Sequence, residues 1–152
     1  MEHTFIELCQ TEIQLVSQVV ASLQEEQTVL IKGEIYRLEA VVSEKARVLA
    51  VLDEQRARRV QWMADHHIDT LNMVHAWLAD KREACEIWVA LDALIKQAHG
   101  LNELNGRFIR ERLKTTHDAL AVLKPLSDSM IGYRSDGSVP AMSHGGRHWG
   151  CV

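Results

Sequence analysis

Proline is nearly missing from this chain: of 152 residues only Pro125 and Pro140 are proline, and both lie late. A proline inside a helix removes a backbone hydrogen bond and clashes with the preceding turn, so nothing before residue 125 is forced to break a helix. Glycine is equally thin ahead of that point, with Gly33, Gly100 and Gly106 alone. Aromatic residues make up 5% of the chain, while Leu, Val, Ala, Glu and Gln abound, a balance that suits helix rather than sheet. The three cysteines, Cys9, Cys85 and Cys151, are far apart and show no C-x-x-C spacing. An odd number in so ordinary a composition reads as reduced thiols in a cytosolic protein. No apolar run approaches the roughly 18 residues a membrane span requires. The N-terminal stretch carries Glu2, Glu7 and Glu12, and Gln14 and Gln18 interrupt its apolar runs, so it does not read as a signal peptide. A net charge of −4 argues against nucleic acid as the main partner. The expected location is the cytoplasm.

What the chain does contain is length, helix formers and period. With 47% hydrophobic and 25% charged residues it is neither disordered nor membrane-like, and its length fits one domain. A first helix is predicted from about Glu2 to Ile31, with Ile6, Cys9, Ile13, Val16, Val20, Leu23, Gln27 and Leu30 in an unbroken 3-4 spacing. Thr4 with Glu7 offers a capping box near its start. Gly33 marks a turn into a second helix over about Glu34–Asp65, with Ile35, Leu38, Val42, Leu49 and Leu52 on one side and Val41, Val48 and Val51 beside them. Lys45 interrupts that seam, which predicts its stem on apolar surface and its amine in water. Past Leu52 the pattern fades into charge, as if this end projected from the bundle or were covered by something else. Asp65–Asp69 is a break, and Asp69 or Thr70 caps a short helix over Leu71–Leu78, a lid for the end of the bundle through Met73, Val74, Trp77 and Leu78. A third long helix is predicted from near Asp80 to Lys124.

The fold class is therefore all-α: an antiparallel bundle of three long helices with coiled-coil-like packing, a short extra helix, and an irregular tail. Residues 1–124 form the bundle, and residues 125–152 form a Gly- and Ser-rich tail.

Chemistry is sparse. Eight histidines raise the question of metal, yet no Glu has a His three positions later, the pairing that a di-metal helical bundle uses. His66 and His67 are adjacent, about 100° apart on a helix, and read as exposed residues at a helix break. Cys9 reads as a small core residue rather than a nucleophile. Arg56, Arg58 and Arg59 are balanced by Asp53 and Glu54 and read as a solvated face. No catalytic residue, cofactor or metal site is indicated, and the chain is not expected to be an enzyme.

The third helix carries the informative anomaly. Its first 3-4 stripe runs through Trp88, Leu91, Ile95, Ala98, Asn102, Asn105, Ile109, Arg112, Thr116, Ala119 and Leu123, and a second contains Leu94, Leu101, Phe108, Leu113 and Leu120. A helix with two apolar stripes can contact two neighbours, or one neighbour and one external partner. Asn102, Asn105 and Gly106 are poor helix residues in mid-helix, Gly costing about 1 kcal/mol relative to Ala. They predict a hydrogen-bonded packing site, with Gly106 admitting a close backbone.

Four stretches together resemble the FlgN-type flagellar export chaperones: LIKGEIYRLEAVVSEK at the second helix, the Trp88/Leu91 entry to the third, LNELNGRFI containing Asn102-x-x-Asn105-Gly106, and IGYRSDGS containing Tyr133 and Asp136-Gly137. The resemblance implies a cytosolic protein without catalytic activity. Such a protein binds hook–filament junction proteins through their terminal amphipathic helices, keeps them unassembled, and brings them to the cytoplasmic domain of the export gate. It implies that Ile109, Leu113, Leu120 and Leu123 contact the client and that Tyr133 docks at the gate. The rival reading is a structural helical scaffold that self-associates without a client. A homodimer stays open, because a seam used inside a monomer and one used between monomers read identically.

Overall fold

Two tight turns, each closing a long helix in the same way, fix the course of the chain. A computed structural model describes residues 1–130, with side chains to residue 123. Helix α1 spans Glu2–Lys32, a short 3-10 turn Ile35–Arg37 leads into α2 at Leu38–Asp65, α3 is Leu71–Leu78, and α4 is Arg82–Met130. At the first turn Gly33 adopts φ 73°, and its N–H donates to the Leu30 carbonyl while Glu34 N–H donates to Val29. This paired closure is a Schellman motif, and glycine pays no Cβ penalty at its left-handed position. After α2 the same bonds recur, His67 N–H to Ala64 and Ile68 N–H to Met63, with His67 in the left-handed position at φ 59°. Ile68 is buried against Met63 there, the apolar contact that accompanies such a cap.

The start of α1 differs from expectation. Thr4 lies inside the helix and no side chain caps it; Phe5 N–H already bonds the Met1 carbonyl. Phe5 and Ile6 are buried, so packing holds the first turn where a capping box was predicted. At the third helix Thr70 is the cap, its Oγ1 accepting from Met73 N–H at 3.3 Å. Pro125 does not end α4: it forfeits the bond to the Ala121 carbonyl, but Ala121 is exposed and water can take that bond.

Helix α2 runs against both α1 and α4. Glu12 faces Arg59 and Glu26 faces Lys45, so numbers rise on one helix as they fall on the other. Phe5 meets Trp88 and Leu23 meets Asn105, so α1 and α4 are parallel. At one end each helix contributes an aromatic ring: Phe5 stands 5.5 Å from Trp62, 5.0 Å from Trp77 and 5.9 Å from Trp88, centroid to centroid. Half of a sparse aromatic complement is thus spent on one cluster, where fully burying a ring contributes about 1.5–3 kcal/mol. Val74 and Leu78 of α3 are buried beneath it, as expected of a lid, while Met73 faces solvent.

The inner seam of α1 is Phe5, Cys9, Glu12, Val16, Val19, Leu23, Glu26 and Leu30, every one buried. The seam of α2 is rotated from the predicted one. Leu38, Val41, Lys45, Val48, Leu52, Gln55, Arg59 and Trp62 face inward, whereas Ile35, Val42 and Leu49 are exposed. Charged residues occupy core positions on α2, and these displaced the pattern that apolar residues alone suggested.

Candidate interaction surface

Helix α4 is held in place by two buried polar layers. In the first, Arg59 Nε donates to Glu12 Oε1 at 2.5 Å and Nη2 to Oε2 at 3.3 Å, while the guanidinium lies 5.2 Å from the Trp88 ring. The Arg59 side chain therefore ties α1, α2 and α4 together, which corrects the expectation of a solvated face for Arg59, while Arg56 and Arg58 are exposed as expected. In the second layer Lys45 Nζ pairs with Glu26 Oε2 at 2.7 Å, so its amine ends in an ion pair rather than in water. Asn105 Nδ2 donates to the Leu23 carbonyl at 2.8 Å and to Glu26 Oε2 at 3.4 Å. Buried ion pairs contribute little net stability, yet removing one partner is costly because it strands the other charge. Cys9 sits beside the first layer, and burial pushes its thiol up to about 12, with Arg59 pulling the other way and Glu12 adding to the rise. It is a core residue without a reactive thiolate.

Asn105 is 1% exposed and makes the hydrogen bonds expected of it, although its Oδ1 has no partner among the described residues. Asn102 is exposed and takes no part in packing. Gly106 does not admit a neighbouring backbone: a Cβ there would meet only the guanidinium of Arg110, 3.4 Å away and one turn on. The close approach read from the sequence is therefore absent at Gly106. Arg112 instead comes near the other glycine, its Nη2 3.4 Å from where a Cβ on Gly33 would lie.

Beyond Asn105 the burial of α4 falls away. Phe108 and Ile109 are half-buried, and every residue from Arg110 to Leu123 is exposed. Leu113 is 66% exposed, Leu120 62%, Val122 71% and Leu123 56%. A boundary between two units of the chain falls between Lys114 and Thr115, so Leu113 belongs to the first and the other three to the second. Within the second unit Leu120 and Leu123 stand three residues apart, within one turn of α4. Val122 was not picked out from the sequence; it is a surface apolar residue on a neighbouring face of the same helix. Tyr133, Asp136 and Gly137 lie outside the described residues.

Elsewhere the surface offers less. A cleft where α3 meets α4 is lined by residues that include His75, Asp80, Cys85 and Trp88, and a shallower one between α1 and α2 includes Tyr36 and Glu44. Among the described residues no three of His, Cys, Asp and Glu gather as metal ligands would. His66 is half-buried rather than exposed, stacked 4.1 Å from Trp62 with Nδ1 2.6 Å from the Trp62 carbonyl, while His67 is exposed as predicted. No described helix is long and apolar enough to cross a membrane. A row of exposed leucines on a helix can do one thing well: cover a complementary apolar helix.

The FlgN protein family model matches residues 1–141. Neither a curated protein nor a solved structure matches the chain.

Proposed function

Because the chain belongs to the FlgN family of flagellar export chaperones, we propose that its clients are hook–filament junction proteins and that it holds them on α4 before export. The observation that carries this reading is the exposure of Leu120 and Leu123 in the second unit, with Leu113 exposed at the end of the first. A client whose terminal helices polymerise must have that apolar surface covered while it is monomeric. An amphipathic client helix laid on α4 exchanges two wet apolar faces for one dry interface, a step that needs neither a nucleotide nor a cofactor. Ile109, half-buried at the edge of the packed region, and the exposed Leu123 are assigned to the same client.

Delivery is the second half of the proposal. Tyr133 is assigned to docking at the cytoplasmic domain of the export gate, separate in sequence from the client row, so holding and handing over use different residues. The protein works in the cytoplasm in this account. Light scattering on size-exclusion peaks, with the chain alone and mixed with a hook–filament junction protein, tests it. A complex of defined mass supports the proposal, and no complex at micromolar concentration removes it.

A further inference from the structure

The 3-10 turn and helix α2 together carry a second row that no described residue covers. Ile35, Val42 and Leu49 recur every seventh residue; with Glu39, Ala46, Asp53, Arg56 and Val60 they complete a 3-4 alternation, and all eight residues are exposed. This row lies about 100° round the helix from the inner seam. Isolated apolar residues on a surface need no explanation, but a heptad row over most of a helix does.

We infer that this row pairs with the same row of a second copy of the chain, antiparallel, about a two-fold axis between Ala46 and Leu49. The self-complementarity of its charges selects that partner. In an antiparallel pair the two positions of the seam alternate across the interface. With Ala46 against Leu49 of the second copy, the other facing pairs are Val42 with Asp53, Glu39 with Arg56, and Ile35 with Val60. The two-fold axis makes each pair twice. Sliding the second copy by one heptad either way separates Glu39 from Arg56, while Asp53 faces an apolar residue in the register chosen as well. Among the described residues no ion pair engages Glu39 or Arg56. Arg47, next to Ala46 in sequence, lies off the row and is held by Glu44 on its own helix at 2.7 Å. Ser43, Ala50 and Ala57 flank the row on one side and let two backbones approach.

This inference goes beyond the chaperone reading and does not depend on it, since the row lies on α2 and the client leucines lie on α4. The test is sedimentation velocity on the full chain across the micromolar range, with thermal melting of each variant as a control on folding. The wild-type chain should dimerise reversibly. Glu39→Arg and Arg56→Glu should each weaken the dimer by about tenfold, because each turns two attractive pairs into repulsive ones. The double variant Glu39→Arg/Arg56→Glu should restore it. Leu49→Asp should leave a folded monomer. A chain that stays monomeric throughout would overturn the inference, as would a dimer that Leu120→Asp disrupts and Leu49→Asp does not. Failure of the charge exchange to restore association would overturn the register and with it the proposal.

Discussion

Ala84, Trp88, Leu91, Leu94, Ile95 and Leu101 of α4 pack into the core that the other helices build, whereas Leu113, Leu120 and Leu123 on the same helix stand in water. The residue types hardly differ. What differs is what accompanies them. The packed part is held by buried polar groups with directional partners, Arg59 bonded to Glu12 beside Trp88 and Asn105 bonded to Leu23 and Glu26. The exposed part carries no such group at its apolar positions, so nothing there demands a single register. A surface meant to accept another protein's helix is better made of leucine, which tolerates small shifts, than of buried ion pairs, which do not.

The sharpest way to break that contrast is to damage a polar layer. Arg59→Ala strands Glu12 in the core and should cost about 3–5 kcal/mol in urea unfolding. Replacing both partners, Glu12→Leu with Arg59→Met, should recover most of that loss, since the desolvated charge is then gone. If the double variant were as unstable as the single one, the layer would matter for packing shape rather than for charge. Asn105→Ala removes two hydrogen bonds to α1 and should cost about 1–3 kcal/mol.

A pH titration probes the same layer. Below pH 9.0 the Cys9 thiol is neutral in both folded and unfolded chains; above it the unfolded chain loses the proton, and the folded chain keeps it until about pH 12. The folded pKa is raised, so this contribution is whole below 9.0 and drains away as pH climbs toward 12. Melting in that window should show a shallower decline for Cys9→Ala than for the wild-type chain, and equal slopes would mean that the thiol is not shielded.

At the transition between the two parts, Gly106→Ala should raise stability by about 0.5–1 kcal/mol, because helix propensity improves and the single nearby group, the Arg110 side chain, can swing aside. A drop in melting temperature would reveal a close contact at that position.

Much of the fold was legible because helix period and punctuation agree. Gly33, the break at 65–69 and the Thr70 cap sit where the spacing placed them, and Leu71–Leu78 is a helix from end to end. The inner seams were only half legible. Glu12 and Glu26 on α1, with Lys45, Gln55 and Arg59 on α2, occupy core positions, and a reading that sorts charged residues to the surface rotates α2 away from its true face. The missing signal was nonetheless present: two acids fourteen residues apart on one helix answer two bases fourteen residues apart on the next. Gly106 misled for another reason, since glycine in a helix permits a close neighbour but does not supply one. The leucines beyond Asn105 were visible as a stripe, yet their exposure was not, because a stripe that meets its own chain and one that meets a partner are written alike.

The account turns on those leucines being binding surface rather than core. Leu120→Asp in the full chain, assayed by thermal melting and by calorimetric titration with a hook–filament junction protein, separates the two. The expected result is a stability within about 0.5 kcal/mol of wild type, as for other exposed positions, together with a loss of client affinity of at least about tenfold, the size a buried interface leucine commands. Loss of helicity in step with loss of binding, or full binding by the variant, would contradict it.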